Sequence, residues 1–289
     1  MTSTALASGT ARHLGVWLVG ISAIIWSTAG LFTKSVSADV WTILFWRGVF
    51  SAAFMFAYLA WRNGRQVLGD FAGLGWPGWS AAAIGAAATI CFISAFKHTT
   101  VANVGIIYAT AAFVAGLLAW LLMREATSRT TLIGATIALC GIVIMVGGSL
   151  GTPNLYGDFL ALLMTIGMAI FMVMVRMYPR VPMVLAGTMS SVMLVVAALA
   201  MTDPFSVLAR DLPWLIAFGS VFAAGTILLT EGTKLIPASQ SALIGALETP
   251  LAPVWAWFFL AEWPPLATWT GGAVVMFAVL WGIRRESQL

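Results

Sequence analysis

Charged residues are scarce in this sequence. Asp, Glu, Lys and Arg make up 8% of the 289 residues, whereas 61% are hydrophobic and the mean hydropathy is +0.98. A soluble domain carries about 25% charged residues, so this chain has too little charge to cover a globular surface. Apolar runs of about 20 residues, long enough to cross a bilayer as helices, recur along its whole length. The sequence therefore predicts an all-α polytopic membrane protein without a separate soluble domain.

Cysteine and histidine are also scarce, with two residues of each. Cys91 and Cys140 both lie inside apolar runs, without disulfide or metal spacing. A glycine-rich phosphate loop with its lysine is absent, which argues against an ATP-driven mechanism. No pair of deep basic residues is present to hold a phosphate or a sugar nucleotide. We therefore expect no cofactor, no bound metal and no enzymatic activity.

Ten apolar runs predict ten transmembrane helices. They cover residues 14–33, 40–61, 77–96, 101–123, 130–149, 156–175, 183–201, 213–230, 238–260 and 266–283. Of the 14 Lys and Arg residues, ten lie on the side of the N-terminus, three lie on the other side, and Arg47 lies inside a span. This imbalance predicts a plasma (inner) membrane protein with both termini in the cytoplasm. The expected partners are the lipid bilayer and a small-molecule substrate, with no nucleic acid; the sequence leaves the oligomeric state open.

Two segments of the chain align with each other at an offset of 137 residues. They are "KHTTVANVGIIYATAAFVAGLLAWLLMRE" (97–125) and "KLIPASQSALIGALETPLAPVWAWFFLAE" (234–262). The first spans of the two halves also resemble each other, at an offset of 142. We interpret residues 14–149 and 156–283 as two five-helix repeats. Because five is odd, the second repeat enters the membrane from the opposite side, as in many secondary transporters that bind substrate between such inverted halves.

The sequence resembles a known family in four stretches that span both halves. They are "IIWSTAGLFTK", "WRGVFSAAFMF", "AWLLMREATSRTTLIGATIALCGIVIM" and "LETPLAPVWAWFFLAEWPPLATWTGGAVVMF". They are similar to the EamA-type drug/metabolite transporter superfamily and, within it, to the amino-acid exporters, including those for aromatic amino acids and methyl viologen. The resemblance implies ten helices around a central cavity and alternating access without ATP.

The stretch "ALIGALETPLAP" places an acid and two prolines inside one apolar span. A charge at bilayer depth is costly, so Glu248 is expected to face the protein interior or water. Pro250 and Pro253 lack a backbone donor and should leave the carbonyls of Ala246 and Thr249 without helical partners, which is tolerated where backbone lines a cavity. Glu248 is the first candidate site residue, as a contact for an ammonium group or as a proton carrier. The alternative is that it accepts hydrogen bonds from neighbouring hydroxyls and only fixes the packing.

Seven further residues are candidates for the cavity wall. Tyr108, Trp26, Met168 and Trp255 would form an adaptable, partly aromatic surface. Thr89, Ser94 and Thr226 would offer hydrogen bonds to a substrate. For each of them, ordinary helix packing or bonding within the helix remains the alternative.

Arg47 is treated separately because it lies near the beginning of its span. We expect it to reach the membrane interface or to pair with an acid such as Asp39.

The function predicted from these features is secondary transport, with export of small amphipathic solutes and most of all of aromatic or neutral amino acids. The site lies between the two repeats, which expose it alternately. A proton-coupled exporter of drugs or cations is the alternative in the same class. A membrane protein without transport activity is a remote second alternative, disfavoured because no catalytic constellation and no large one-sided polar loop is present.

Overall fold

The computed structural model describes residues 2–99, 101–146, 154–205, 210–261 and 263–286, and every regular element within these ranges is a helix. The α-helices, in chain order, are α1 (Thr2–Ser27), α2 (Ala29–Ser35), α3 (Val40–Asn63), α4 (Val67–Gly73), α5 (Gly75–His98), α6 (Val101–Ala109), α7 (Ala111–Met123), α8 (Arg129–Val146), α9 (Leu155–Met177), α10 (Met183–Leu199), α11 (Leu212–Thr233), α12 (Ala238–Gly245), α13 (Glu248–Leu260) and α14 (Leu266–Glu286). A short 3₁₀ helix, Gly64–Gln66, joins α3 to α4.

Seven helical stretches of the described chain are long and apolar enough to cross a membrane. They are Val40–Asn63, Gly75–Ala95, Asn103–Met123, Leu155–Met177, Leu212–Thr233, Ala238–Phe259 and Leu266–Glu286. Two shorter apolar helices are Arg129–Met145 and Met183–Leu199. Large apolar side chains such as Leu117, Phe258 and Phe277 are more than half exposed on the outside of the bundle, as a surface that faces lipid requires. The chain is therefore a polytopic helical membrane protein.

Three of the predicted spans are each divided into two helices. The predicted span 14–33 falls on α1 and α2, the span 101–123 on α6 and α7, and the span 238–260 on α12 and α13. The end of the predicted span 130–149 and the acid Glu262, which ends the second aligned segment, lie outside the described residues.

Threonine hydroxyls mark two of the three breaks. Thr28 Oγ1 donates to Ile25 O at 2.6 Å, and Thr110 Oγ1 donates to Ile107 O at 2.6 Å. In each case the backbone N–H of the same threonine also bonds to that carbonyl three residues earlier. A side chain that competes for a carbonyl in this way bends a helix, and both hydroxyls lie at the points where α1 and α6 end.

The third break lies at Ala246 and Leu247, between α12 and α13. Leu247 N bonds to Ile244 O at 3.1 Å and Thr249 N bonds to Ala246 O at 3.2 Å, so the chain makes a tight turn there. The prediction that Ala246 O lacks a partner is therefore wrong, because the turn supplies Thr249 N in place of the missing donor of Pro250. Pro250 stands in the first turn of α13, where a helix needs no backbone donor.

Small residues allow several helices to approach closely. A Cβ placed on Gly141 of α8 would lie 2.8 Å from the carbonyl oxygen of Gly271 on α14, and one on Gly167 of α9 would lie 2.9 Å from the Cβ of Ala88 on α5. The main helix pairs of the bundle are α8 with α14, α5 with α9, α1 with α11, α3 with α10, α3 with α11, α5 with α10, α7 with α12, and α7 with α9. Contacts this close are the way in which membrane helices gain packing energy.

Polar contacts close the two ends of the bundle. One end carries three ion pairs between helices or their ends: Arg12 with Glu286 at 2.7 Å, Arg62 with Glu231 at 3.3 Å, and Arg176 with Glu125 at 3.6 Å. Glu286 also accepts hydrogen bonds from Ser128 and Thr131. At the other end, Thr99 donates to Asp158 at 2.7 Å and Ser37 N donates to Asp211 at 3.3 Å. The core between these ends positions the cavity described next.

Candidate functional site

A cavity of about 90 Å³ lies among the helices, away from both polar ends. Its walls come from α1, α2, α3, α5, α6, α9, α11 and α13 and from Thr28 between α1 and α2. The lining residues are Ile25, Trp26, Thr28, Ala29, Arg47, Ala88, Thr89, Phe92, Tyr108, Met164, Met168, Phe218, Val221, Phe222 and Glu248. One acid, one base and many aromatic rings and thioethers therefore share one small space.

Glu248 is the acid of this cavity. It is the first residue of α13, so the break after α12 places its side chain where one helix ends and another begins. The side chain is partly buried, and none of the ion pairs among the described residues involves it. The placement agrees with the expectation that this acid turns away from lipid, and it leaves the carboxylate able to accept from a guest.

Tyr108 lies close to the same turn. A Cβ placed on Gly245 would be 4.0 Å from the Tyr108 hydroxyl, and Gly245 lies three residues before Glu248, across the break between α12 and α13. The break at Thr110, two residues after Tyr108, stops α6 beside the cavity. Two interrupted helices, one from each half of the chain, thus bring a phenol and a carboxylate to one place.

Arg47 is the site residue that the sequence prediction missed. The residue is 4% exposed, and its guanidinium carbon lies 4.1 Å from the ring centroid of Phe222 and 5.6 Å from that of Phe218. The expectation that Arg47 reaches the interface is therefore wrong. Asp39 instead caps the beginning of α3, where it accepts from Trp41 N at 2.9 Å. Seven residues of helix from Val40 put Arg47 about 10 Å deep, a depth that could have been read from the sequence.

Aromatic rings form much of the remaining wall. Trp26 stacks on Phe222 with ring centroids 5.7 Å apart and an angle of 14° between the planes. Gly225, on the next turn of α11, faces the indole so closely that a Cβ there would overlap Trp26 Nε1. The absence of a side chain at Gly225 is therefore what lets Trp26 lie flat against α11.

Five of the eight predicted site residues line this cavity: Glu248, Tyr108, Trp26, Thr89 and Met168. Thr89 Oγ1 donates to Gly85 O at 2.9 Å, so its donor is used within α5 while its oxygen still has acceptor capacity. Met168 and Met164 contribute flexible thioethers from α9.

The other three predicted residues do not line the cavity. Ser94 lies on a separate cavity of about 180 Å³ between α3 and α5, together with His98. Thr226 donates to Phe222 O at 2.9 Å within its own helix. Trp255 donates to Ser27 Oγ at 2.7 Å and ties α13 to the end of α1. For Thr226 and Trp255 the packing alternative describes the contacts observed.

The described residues contain no group of three or more His, Cys, Asp or Glu that could hold a metal ion. The cavity itself offers one carboxylate and one guanidinium, which suits a charged or zwitterionic organic solute better than a cation with several oxygen ligands.

Comparisons with known proteins agree with this architecture. Residues 13–147 match the EamA-like transporter family. Over 94 residues, the chain is 33% identical to the uncharacterized transporter YetK of Bacillus subtilis (strain 168), a match that covers 31% of this chain and 28% of that protein. The fold is similar to that of a protein crystal structure with a TM-score of 0.78, over 93% of this chain and 98% of that chain, at 18% sequence identity. Through residues 13–147, this chain is similar to the EamA-like transporter family.

Proposed function

We propose that this protein is a secondary transporter that exports small amphipathic solutes, with neutral and aromatic amino acids as the preferred class. The observation that carries the proposal is the cavity, which takes its wall from both halves of the chain and holds a carboxylate, Glu248, without an ion-pair partner among the described residues. A site built between two halves is suited to alternating access, because relative motion of the halves opens it first to one side and then to the other.

Matching local features support the division into two repeats, 14–149 and 156–283. Among the described residues, Arg124 and Ala261 are the two non-glycine residues with positive φ, at 57° and 54°, and they are 137 residues apart. The residues that precede the second half-helices, Thr110 and Leu247, are also 137 residues apart. This is the offset of the sequence alignment, so interruption and helix end recur together in both halves.

The packing pattern supports the same division. The counterparts in the two repeats are α1 and α9, α3 and α10, α5 and α11, and α8 and α14. Exchanging each helix for its counterpart turns the pair α5–α9 into α11–α1 and the pair α3–α11 into α10–α5. All four pairs are present. The pairs α8–α14 and α3–α10 become themselves. A pattern that survives this exchange is expected of two equivalent halves related by a two-fold axis.

We further propose ten membrane crossings with both termini in the cytoplasm of a plasma (inner) membrane. The ion pairs at one end of the bundle join Arg12, near the N-terminus, to Glu286, near the C-terminus. Arg62, Arg176 and Lys234 lie at the same end and interact there with acidic side chains. This clustering of basic residues supports placing that end in the cytoplasm.

The cavity supports a small solute as cargo. Drug-sized ligands occupy pockets of about 300–1,000 Å³, whereas this cavity measures about 90 Å³. Glu248 would bind the ammonium group, Tyr108 and Thr89 would offer hydrogen bonds, and Trp26 with Met168 would contact the side chain. A proton-coupled exporter of larger cations is the alternative, and it requires a wider conformation of the same space.

Uptake of labelled amino acids into liposomes tests the proposal directly. We expect saturable uptake by the wild-type protein, and about 10-fold or greater loss in Glu248→Gln, because a charge-assisted hydrogen bond is replaced by a neutral one. Each measurement is made with and without a pH gradient, and uptake that needs the gradient would assign a proton-coupled mechanism. The control is Asp203→Asn, at an exposed position outside the cavity. Absence of uptake for every amino acid under both conditions would refute the amino-acid assignment.

A further inference from the structure

We infer that Arg47 is the carboxylate-binding residue of the cavity, so that the site selects zwitterionic α-amino acids through one charged group on each half of the protein. This inference rests on the proposed function. It adds the class of ligand and the residue that recognises the ligand's carboxylate. The competing explanation is that Arg47 is only a brace between α3 and α11.

Arg47 is a buried cation without a matched anion. Arg47 is 4% exposed, and its Nε has no hydrogen-bond partner. None of the ion pairs among the described residues includes it. Arginine stays protonated in proteins, and a buried charge left unpaired is strongly unfavourable. A ligand carboxylate that enters the cavity would supply the missing partner.

The rings beside Arg47 orient it without consuming its donors. The guanidinium lies over the face of Phe222 at 4.1 Å and near Phe218 at 5.6 Å. A cation–π contact uses the face of the guanidinium, whereas a carboxylate binds along its edge through parallel N–H donors. The two contacts are therefore compatible, and the rings restrict the side chain before the ligand arrives.

The charges of the cavity match the two ends of an amino acid. Arg47 comes from α3 in the first half and Glu248 from α13 in the second, and both line the same space of about 90 Å³. A zwitterion places its carboxylate at Arg47 and its ammonium at Glu248, and both cavity charges are neutralised at once. An amine leaves Arg47 unpaired and an acid leaves Glu248 unpaired, so each should bind more weakly than the zwitterion.

The rest of the wall defines the side chain that fits. Trp26, Phe92 and Met168 are apolar or aromatic, and among the described residues Arg47 and Glu248 are the two charged side chains that line the cavity. The side chain of the ligand is therefore uncharged. Cationic drugs are disfavoured because Arg47 repels them at short range.

A matched ligand series tests the inference by competition against labelled phenylalanine bound to the purified full chain in lipid nanodiscs. The competitors are phenylalanine, phenethylamine, which lacks the carboxylate, and N-acetylphenylalanine, which lacks the ammonium. We expect each of the last two to bind about 10- to 100-fold more weakly than phenylalanine, because each loses one charge-assisted contact.

Variants of Arg47 then assign the effect to this residue. In Arg47→Gln, phenylalanine and phenethylamine should bind within about threefold of each other, whereas Arg47→Lys should keep part of the discrimination because it keeps the charge. The control is Arg180→Gln, at an exposed position outside the cavity, and size-exclusion profiles report folding.

The outcomes separate this inference from the proposed function. If phenylalanine binds but phenethylamine competes equally well with the wild-type protein, Arg47 does not read the carboxylate, while amino-acid binding stands. The same conclusion follows if folded Arg47→Gln keeps the full discrimination. If the Arg47 variants do not fold, the ligand series on the wild-type protein still decides. If phenylalanine does not bind at all, the proposed amino-acid function itself fails.

Discussion

At the scale of single residues, the contrast between Glu248 and Arg47 shows what a sequence reveals about a membrane site. An acid in the middle of a span is a clear signal, because burying its charge in the membrane costs more free energy than packing alone usually offsets. Glu248 does line the cavity. Arg47 lies closer to its helix end, where a long side chain normally reaches water. The rings that hold it inward, Phe218 and Phe222, are 171 and 175 residues away in sequence, so no local pattern could identify them.

Gly225 provides a test of the aromatic wall. We expect Gly225→Ala to displace the Trp26 indole, since a Cβ at this position overlaps Trp26 Nε1. Overpacking of this kind costs about 1–3 kcal/mol, and the stack on Phe222 would be lost with it. The measurements are the KM for phenylalanine uptake, expected to rise several-fold, and the melting temperature, expected to fall.

The matched control for that substitution is Gly20→Ala. A Cβ on Gly20 meets no other atom within 4 Å, and alanine has the higher helix propensity. Uptake by Gly20→Ala should equal that of the wild type. Equal KM values for Gly225→Ala and the wild type would show that the position of Trp26 does not matter to binding.

At the scale of helices, the extent of each apolar run was predictable, and the prolines indicated the interruption of the span 238–260, but the interruptions at Thr28 and Thr110 were not predictable. Thr110 does not by itself indicate a break, because threonine is common in unbroken helices. Thr136, Thr165 and Thr188 all donate their hydroxyl to the carbonyl four residues earlier. At Thr28 and Thr110 the acceptor lies three residues earlier instead. The choice between these two acceptors depends on the surrounding packing, which one helix in isolation does not contain.

The interruption between α12 and α13 leads to a prediction about Pro250. In Pro250→Ala, the new N–H can donate to Ala246 O, which favours a continuous helix through the turn that places Glu248. We expect a lower transport rate at saturating substrate, with the protein itself at least as stable as the wild type.

Turnover and melting temperature of Pro250→Ala should be compared with those of Pro213→Ala. Pro213 also lies in the first turn of its helix, but the two residues before that helix, Arg210 and Asp211, are not helical, so the substitution does not join two adjoining helices. Unchanged turnover in Pro250→Ala would show that the interruption is not required for transport.

At the scale of the whole molecule, three ion pairs at the end assigned to the cytoplasm join the first half of the chain to the second. Arg12, Arg62 and Glu125 belong to the first half, and their partners Glu286, Glu231 and Arg176 belong to the second. Opening this end must therefore separate opposite charges. In the proposed mechanism, the pairs would act as a clasp whose strength sets how readily the cavity opens to that side.

Removing one charge of this clasp should favour the open state. We expect Glu286→Gln to lose about 1–3 kcal/mol of interaction with Arg12, Ser128 and Thr131. A cysteine introduced at Thr233, which is fully buried, should then react faster with a maleimide, in a background where Cys91 and Cys140 are replaced. Asp158→Asn, which weakens contacts at the opposite end, is the control and should not speed the reaction. Equal labelling rates in Glu286→Gln and the starting variant would exclude the clasp.

The unequal charges of the two cavity walls have a consequence for how cargo travels. Two identical halves would present the same groups from both sides, and a guest with two different ends would fit equally well in either of two reversed poses. Here Glu248 corresponds to Ala111 at the repeat offset, so one wall carries an acid that the other lacks. In the proposed transporter, that difference would remove the second pose, so every molecule that crosses would do so with the same end leading.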